Sequence, residues 1–374
     1  MNRHSALAMA CFGIALLAGS VAQAQGSNAA VPSISVGTNL VLVPALVKTK
    51  SGELVFSLTA QDFSLTDNGV PQNLHLEPDI GSQPLALAVV VQTGGSGATH
   101  LENYTQLDAV LDAVVGNVPH RVAVVAFDST PHLIQDFTDN TDVASAAIAK
   151  LQSGDPGVAI LDGLKFGIDL LRKQPPEYRR VVLLFSETLD GNSQTTLDDA
   201  VRAVDDTNTA IYSFAFSSTK SNAKHEGAKV PRPGGTEYSS TPYAKGGCMS
   251  HDPNADPDAH GSRGVQALDC AEDLIPPLRL GRIAFDAARD SMRRNVPESV
   301  AQLTGGEYFP FKDAKTLSAH LVTISNDAPN YYVLSFHPQS PSPGPHALEV
   351  KLNNRHDLQL KARTSYWADT TGQQ

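Results

Sequence analysis

The chain has 374 residues, with 28 Lys and Arg against 39 Asp and Glu, so its formal net charge is −11 at pH 7. An acidic surface repels phosphate backbones, which argues against nucleic acid as a partner. Hydrophobic residues make up 41% of the chain. That content suffices for well-formed cores, and the length indicates two or three folding units.

The segment 1–24 has the organisation of a secretory signal peptide. Arg3 precedes an apolar run that extends to about Val21, and Ala22-Gln23-Ala24 forms a small-x-small cleavage site. The run is shorter than the roughly 20 residues of a membrane span, and an N-terminal anchor is the alternative. Cleavage removes Arg3 and no acidic residue, so the charge goes from −11 to −12. We expect an exported protein, periplasmic or extracellular, without a transmembrane segment after signal removal.

A small β unit is predicted at 37–82, after a short polar lead at 25–36. Strand-like runs occur at 40–47 and 64–66. The tripeptide Asp67-Asn68-Gly69 predicts a hairpin turn, because Asn and Gly accept positive φ. This unit is too small to form a stable core by itself.

An alternation of apolar strands and amphipathic helices begins at residue 83. Unbroken apolar runs are separated by segments in which apolar residues recur at helical spacing. These runs occupy residues 85–91, 121–127, 180–185 and 210–215. Because such strands need cover on both faces, they predict a mostly parallel sheet between two helical layers. We assign 83–217 and 281–328 to one Rossmann-like α/β domain, and the second part begins with a helix at about 283–303.

The segment 218–280 interrupts this domain as a predicted irregular insertion, rich in Gly, Pro, Ser, Asp and His. Cys248 and Cys270, the two cysteines of the mature chain, lie in it. In an exported protein such a pair indicates a disulfide more than a metal site. Zinc binding with His251 and His260 is the alternative, although the spacing is not that of a standard finger.

A calcium loop is a second alternative for the insertion. Asp252, Asn254, Asp256 and Asp258 alternate as calcium ligands do. An EF-hand requires Gly at its sixth position and Glu at its twelfth. Pro257 and Arg263 stand there instead, so a solvated acidic loop is favoured.

The C-terminal segment 329–368 has the alternation of half-buried antiparallel strands. Neither this segment nor 37–82 completes a sandwich by itself. We therefore predict that the two pair into one small β-sandwich, in which the α/β domain is inserted. Two separate small sheets packed on the α/β core are the alternative.

Several motifs, taken in their order and spacing, resemble the acidobacterial von Willebrand factor A-related domain family. They are Leu40-Val41-Leu42-Val43-Pro44, Leu58-Thr59-Ala60-Gln61-Asp62-Phe63, Asp67-Asn68-Gly69-Val70-Pro71-Gln72, Leu161-Asp162-Gly163-Leu164, Leu303-Thr304-Gly305-Gly306 and Tyr331-Tyr332-Val333-Leu334-Ser335-Phe336-His337-Pro338. The resemblance covers 38–367 apart from 218–280. It implies an exported, non-enzymatic von Willebrand factor A domain of Rossmann-like fold with β flanks.

The resemblance also implies a degenerate metal-ion-dependent adhesion site. In the von Willebrand factor A fold, the turn after the first buried strand carries Asp-x-Ser-x-Ser and grips a divalent cation. Here Gln92 replaces the Asp and Gly94 the first Ser, while Ser96 keeps its type. The second loop offers Val158 where a Thr is usual. The third reads Ser186-Glu187-Thr188 in place of Ser-Asp-Gly.

We expect a binding rim rather than a metal site at these loops. Its predicted members are Gln92, Thr93, Gly94, Ser96, Val158, Glu187 and Asp190. Mg²⁺ prefers six oxygens, usually with carboxylates among them, and this set is too poor to hold it tightly. No cofactor is predicted, although weak Mg²⁺ or Ca²⁺ binding through Ser96 and Glu187 stays open.

A hydrolase site and a dinucleotide site are two alternatives for the first loop, and the sequence supports both less well than a binding rim. Ser96 and His100 suggest a hydrolase, but Ala98 stands at the last Gly position of a nucleophile elbow. The turn also lacks the third Gly of a dinucleotide site. The sequence therefore favours an exported, non-catalytic adhesion-type module that binds a protein or glycan at the cell envelope. A metal-dependent adhesin with unusual ligands, or a hydrolase using Ser96, is the alternative.

Overall fold

The computed structural model describes residues 40–77, 83–106, 108–217, 276–327, 330–338 and 342–368. These residues all lie in one unit, Thr38–Gln374. The predicted signal peptide and lead, most of the insertion, the Cys248–Cys270 pair, and the calcium-like and zinc-like residues lie outside the described residues.

Strands and helices of the described residues are numbered here in chain order. The strands are β1 (Val41–Thr49), β2 (Phe63–Asp67), β3 (Val70–Pro71), β4 (Leu74–Leu76), β5 (Leu85–Gln92), β6 (His120–Phe127), β7 (Pro131–Thr138), β8 (Arg179–Glu187), β9 (Thr209–Phe216), β10 (Tyr308–Pro310), β11 (Tyr332–Phe336), β12 (Gly344–Leu352), β13 (Leu358–Ala362) and β14 (Ser365–Ala368). The helices are α1 (Asp108–Val115), α2 (Thr141–Ala149), α3 (Ile160–Arg172), α4 (Leu197–Asp205), α5 (Pro276–Met292), α6 (Val296–Thr304) and α7 (Ala314–Asp327), with 3₁₀ turns at Ala60–Asp62 and Gly95–Gln106.

A six-stranded sheet of order β10-β9-β8-β5-β6-β7 forms the centre of the molecule. Its strands run parallel except β7, which pairs antiparallel with β6. Every residue of β5 is buried. Alternate residues of this strand enter two hydrophobic cores, one on each face, as Leu87 and Ala88 illustrate. The α/β fold class is therefore confirmed, because only a sheet covered on both sides buries both residue sets.

The flanking strands form two antiparallel sheets of mixed origin. One has the order β13-β1-β11-β4 and the other β14-β12-β2-β3. In both, N-terminal strands pair with C-terminal ones: β1 lies between β11 and β13, and β2 pairs with β12. A shared core that includes Val43, Leu65 and Phe336 lies between the sheets. This arrangement is the predicted sandwich, and it rules out two separate small sheets.

Two details differ from the sequence expectation. The single helix expected at about 283–303 is two helices, α5 and α6. Asn295 separates them, because its side chain caps α6 by accepting a hydrogen bond from the backbone N–H of Glu298 at 3.2 Å. Strand β7 was not predicted, since none of its residues is buried, half are exposed, and it lacks an apolar alternation. No helix among the described residues has both the length and the apolar character that a membrane span requires.

The motif Leu303-Thr304-Gly305-Gly306 is a backbone junction. Gly305 has φ +75° and ends α6 with the paired hydrogen bonds of a Schellman motif. Thr304 Oγ1 accepts a hydrogen bond from the Ile211 N–H at 3.0 Å, which ties the helix to β9. A Cβ on Gly306 would lie 2.0 Å from the Ile211 carbonyl oxygen. The motif is thus explained by the close approach of α6 and β9.

Two lysines and two buried acids join the sandwich to the α/β domain. Lys48 of β1 and Lys361 of β13 bind Glu307, and Lys48 also binds Asp327 at the end of α7. Burial alone would raise the pKa of Glu307, but the two lysines outweigh it and lower that pKa. Burial raises the pKa of Asp327 to about 6. Each lysine therefore spans the two parts of the fold.

A second buried joint is built around Arg363, which is only 3% exposed. Its guanidinium donates to the Asp205 carbonyl and to Asn208 Oδ1. Ser365 Oγ donates to Asp205 Oδ1 at 2.6 Å. Burial raises the pKa of Asp205 to about 6 despite the nearby guanidinium. These contacts attach the link between β13 and β14 to the end of α4.

His346 forms the polar centre of the second sandwich sheet. Its Nδ1 lies 2.7 Å from Asp67 Oδ1, and its Nε2 lies 2.7 Å from the Ser342 carbonyl oxygen. Since both partners are acceptors, the imidazolium satisfies both at once. Tyr366 donates to the other Asp67 oxygen at 2.8 Å. Burial alone would lower the pKa of His346, but its bonds to Asp67 and Ser342 outweigh burial and raise that pKa.

Replacing Gly306 by Ala should destabilise the fold by about 3 kcal/mol, at the upper end of overpacking costs, because the new methyl group meets the Ile211 carbonyl. Gly116→Asn is the control: its φ is +60° and nothing lies within 4 Å of a Cβ there. Asn tolerates this conformation, so the control should cost about 1 kcal/mol or less. Urea denaturation measures both variants, and equal losses would contradict the assignment.

His346→Gln should remove a stability contribution that depends on pH. Because the folded pKa of His346 lies above its ordinary value of 6.5, the contribution is fully present below pH 6.5 and is lost as pH rises through the folded pKa. We expect wild type to exceed the variant by about 2 kcal/mol at pH 5.5, the order of a charge-assisted hydrogen bond, and by less at pH 8.5. The exposed His356→Gln is the control. A His346→Gln difference that does not change with pH refutes the charged pair.

Candidate functional site

The carboxyl ends of β5, β6 and β8 meet at one edge of the central sheet. The strands end at Gln92, Phe127 and Glu187. The backbone N–H groups of Thr93 and Gly94 both donate to the Phe127 carbonyl, at 2.8 and 3.2 Å. This edge is where open α/β sheets place ligands, and most of the predicted rim residues converge here.

Gln92 and Glu187 are bonded to each other across β5 and β8. Both are buried, at 0% and 4% exposure. The Glu187 backbone N–H donates to Gln92 Oε1 at 2.8 Å. Because an N–H can only donate, this contact fixes the amide orientation. The Gln92 NH₂ group therefore donates to the Gly94 carbonyl at 3.0 Å and to Glu187 Oε1 at 3.3 Å.

Gly94 is required by close packing of the loops. A Cβ at this position would lie 2.1 Å from the Gly157 carbonyl oxygen and 2.7 Å from Asp128 Cα. A Cβ on Gly157 would in turn lie 2.5 Å from Ser129 Cα. The loops after β5 and β6 and the loop before α3 thus meet backbone to backbone. A serine in place of Gly94 does not fit this arrangement.

Three other rim residues have local structural roles. Val158 belongs to the hydrophobic core beneath α3. Thr93 is buried, and its Oγ1 donates to the Phe127 carbonyl at 3.2 Å. Ser96 is half-buried and opens the 3₁₀ turn, where its carbonyl accepts from Thr99 Oγ1 at 2.8 Å. Of the predicted members, Gln92, Thr93, Gly94, Val158 and Glu187 therefore surround the meeting point of the loops.

Asp190 is directed to helix α3 instead. Its Oδ1 accepts from the Leu161 N–H at 3.1 Å, and from Ser193 Oγ at 2.6 Å. Ser193 Oγ accepts from the Asp162 N–H at 3.2 Å. The Asp162 carboxylate accepts from the backbone N–H groups of the two residues after Ser193, at 2.8 and 2.7 Å. The loop after β8 and the first turn of α3 therefore cap each other.

Asp128 and Asp155 were not among the predicted rim residues. Asp128 directly follows β6, and its Oδ2 accepts from the Asp155 N–H at 3.2 Å. Asp155 binds the Ser129 side chain and accepts from the Gly157 N–H at 2.7 Å. These bonds, led by the one from Ser129, lower the pKa of the exposed Asp155 carboxyl. The sequence signal for Asp128 was its position directly after a buried strand. The comparison with the three metal-site loops of the von Willebrand factor A fold selected other residues.

A cavity of about 710 Å³ opens beside this edge. It lies between β7 and α2 and extends away from Thr93 and Gly154, which belong to the loops at the sheet edge. Its lining has polar and apolar parts. Asp128 and His132 lie near the loops, and the larger remaining part is apolar. The full lining is Thr93, Ala126, Asp128, His132, Ile134, Gln135, Val143, Ala146, Ala147, Lys150, Leu151, Gln152 and Gly154. We call this cavity the β7–α2 groove.

His100 does not face Ser96. Its ring stacks on Phe216 with centroids 4.1 Å apart and meets Phe311 edge-on at 5.6 Å. Burial lowers the pKa of His100. Its Nδ1 lies 3.2 Å from Asn103 Nδ2. Within the described part of the chain, no hydrogen bond joins the Ser96 hydroxyl to a histidine or carboxylate, so no catalytic pair is assembled there.

Residues 87–192 match the von Willebrand factor type A domain. This stretch runs from the third residue of β5 through β8 and contains every rim residue described above. The chain carries a von Willebrand factor A-type domain. The six-stranded sheet, with its parallel strands, antiparallel edge strand β7 and helices on both faces, is the fold of that domain.

Several solved structures resemble the chain. The conserved hypothetical protein BatB from Bacteroides thetaiotaomicron is 12% identical, with a TM-score of 0.37, over 65% of this chain and 99% of that one. The PilB minor pilin from Streptococcus sanguinis is 13% identical, with a TM-score of 0.38, over 68% and 63%. The vWF domain of the type V pili tip protein Mfa5 from Porphyromonas gingivalis is 18% identical, with a TM-score of 0.24, over 29% and 39%. No curated protein matches the chain.

The von Willebrand factor A fold implies a divalent cation at this edge, but the residues present do not fit one. Gln92 presents an NH₂ donor toward Glu187, and a cation needs an acceptor there. Gly94 has no side-chain oxygen and no room for one. Among the described residues, no group of three or more His, Cys, Asp or Glu side chains is arranged to hold a metal. The Gln92 amide bridges β5 and β8 at this edge.

Gln92→Glu should destabilise the protein by about 2 kcal/mol or more at pH 7, because it buries a second carboxylate beside Glu187. Like charges raise the folded pKa of such a pair, so the loss should shrink as pH falls toward 5. Chemical denaturation at both pH values measures it. Gln152→Glu adds the same charge at an exposed position and should change stability little. If Gln92→Glu is as stable as the wild type at pH 7, the amide bridge is unimportant for stability.

Proposed function

We propose that the chain is an exported, non-catalytic binding module that recognises a protein or glycan at the cell envelope without a metal. The carrying observation is the Gln92–Glu187 bridge, in which a neutral amide, and not a carboxylate ligand for a cation, faces Glu187. Recognition at this edge then depends on shape and on side chains that remain open. The β7–α2 groove supplies such a surface directly beside the rim.

The further assignment is to the acidobacterial von Willebrand factor A-related proteins. The motifs of that resemblance fall at structural joints: the Asp67 network, the Gly305-Gly306 junction and Tyr332. The Tyr332 hydroxyl donates to the Val55 carbonyl at 2.8 Å and accepts from the Leu58 N–H at 3.1 Å. These motifs support the shared architecture.

A metal-dependent adhesin would need Glu187 as its main ligand, yet this carboxylate is buried and bonded to Gln92. A hydrolase would need a base beside Ser96, and His100 packs on Phe216 instead. These observations favour metal-free binding.

The test is capture of a partner from envelope and culture fractions by the purified protein, with and without EDTA. We expect capture to persist in EDTA and to be lost in Ala146→Trp, which fills the β7–α2 groove. Ala149→Trp is the matched control, since Ala149 is an exposed residue of the same helix that does not line the groove. Calorimetry with Mg²⁺, Mn²⁺ and Ca²⁺ should give no micromolar binding. Capture abolished by EDTA contradicts the proposal.

A further inference from the structure

Lys48, Glu307 and Asp327 form a cluster where the sandwich meets the α/β domain. Their side chains are 17%, 4% and 5% exposed. They come from three separate segments, namely β1, the residue before β10, and the last residue of α7. Lys48 Nζ lies 2.5 Å from Asp327 Oδ2 and 3.6 Å from Glu307 Oε2. A primary amine therefore contacts one carboxyl group and lies near a second, in a site with little access for water.

The two carboxyl groups of this cluster differ in their surroundings. Burial acts to raise the pKa of Glu307, but Lys361, which binds its Oε1, and Lys48 outweigh burial and lower that pKa. For Asp327, burial outweighs Lys48 and raises the pKa to about 6. Surroundings that separate the pKa values of two neighbouring acids give them different roles. Glu307 stays an anion that can accept a proton, whereas Asp327 has an accessible neutral form.

One oxygen of Glu307 is free for such a role. Among the described residues, its Oε2 accepts no hydrogen bond, although it is buried. A buried acceptor without a donor is costly and calls for an explanation. Lys48 Nζ faces this oxygen at 3.6 Å, and a base is often this far from the proton it removes before the reaction begins. The structure therefore places an unused base beside the amine of a Lys–Asp pair.

We propose that Lys48 and Asp327 condense into an isopeptide bond, with Glu307 as the base. The Lys48 ammonium first passes a proton to Asp327, which leaves a neutral amine and a neutral acid. Nζ then attacks Cγ of Asp327, while Glu307 Oε2 takes a second proton from the nitrogen and returns it to the departing hydroxyl. One C–N bond forms, one C–O bond breaks and one water leaves. Glu307 ends unchanged, and no atom is oxidised or reduced.

Proximity and burial favour this condensation. Because a carbon–oxygen bond is about 1.2 Å long, Nζ is at most about 3.7 Å from Cγ of Asp327, close to an attacking distance. Two groups held in this way react as if at a very high concentration. The product is a neutral amide, so the desolvation cost of a buried ion pair is removed. The new bond joins residues 279 positions apart and links the sandwich covalently to the α/β domain.

Mass spectrometry of the full chain, denatured and reduced, tests the proposal. We expect the wild type to be lighter than its sequence by the mass of one water molecule. Trypsin does not cleave after a lysine whose amine is acylated. The digest should therefore contain a branched peptide in which the segment ending at Lys50 is joined to 316–351. Tandem mass spectrometry of that peptide locates the amide at Lys48 and Asp327.

Two lysine variants form a matched pair, because both lysines bind Glu307. Arginine keeps the charge but is not deprotonated in proteins, so it cannot act as the nucleophile. Lys48→Arg should keep its full mass and melt about 10 °C below the wild type, the order expected for a cross-link that closes a long loop. Lys361→Arg should lose one water, as the wild type does. Glu307→Gln should keep its full mass, and circular dichroism confirms that each variant is folded.

Three results overturn the inference. A folded wild type with its full mass shows that the cluster is ionic only. A water loss that the peptide map assigns elsewhere, for example to a succinimide at Asp190-Gly191, also refutes the bond. Equal water loss in the wild type and Lys48→Arg has the same meaning. Water loss in Glu307→Gln at the wild-type level contradicts the assignment of Glu307 as the base.

Discussion

The hydrogen-bonded pair of Gln92 and Glu187 is the constraint on which the binding edge depends. Three strands end where a related domain would hold a cation, and the loops that follow them must be joined by some other means. A neutral amide does this by accepting from one strand and donating to a carboxylate and a carbonyl. The loops can then close to backbone contact, which Gly94 and Gly157 permit. A charged side chain at position 92 would need an ion to offset Glu187, and the closed loops leave no room for its ligands.

The sandwich is joined to the α/β domain at several points. Both ends of the described chain contribute to the sandwich, so the α/β domain is held at its entry and its exit. Lys48, Lys361 and Arg363 cross from the sandwich into the domain and bind buried acceptors there. Buried ionic contacts of this kind add little net stability but strongly penalise a partner left unpaired. Their effect is to fix how the two parts are placed, which favours one arrangement over others.

The sequence motifs of this chain have structural roles. The recognisable motifs serve turns, junctions and buried networks, as Gly306 against Ile211 and Asp67 against His346 illustrate. The surfaces that remain open carry no motif. The β7–α2 groove has a largely apolar wall, and Asp128, His132 and Lys150 also belong to its lining. Thr93 and Gly154, which also line it, place it beside the loops at the sheet edge.

The sequence by itself determined the α/β class, the alternation of buried strands and helices, and the amide and glycine at positions 92 and 94. These properties follow from apolar periodicity and from residue type, which are local. Only the tertiary structure decided that the Gln92 amide faces Glu187, that Asp190 caps α3, and that Asp128 and β7 border a groove. No residue of strand β7 is buried, and the strand has no apolar period to reveal it. The roles of the others depend on contacts between residues distant in sequence, such as the 95-residue separation of Gln92 and Glu187, which no local pattern encodes.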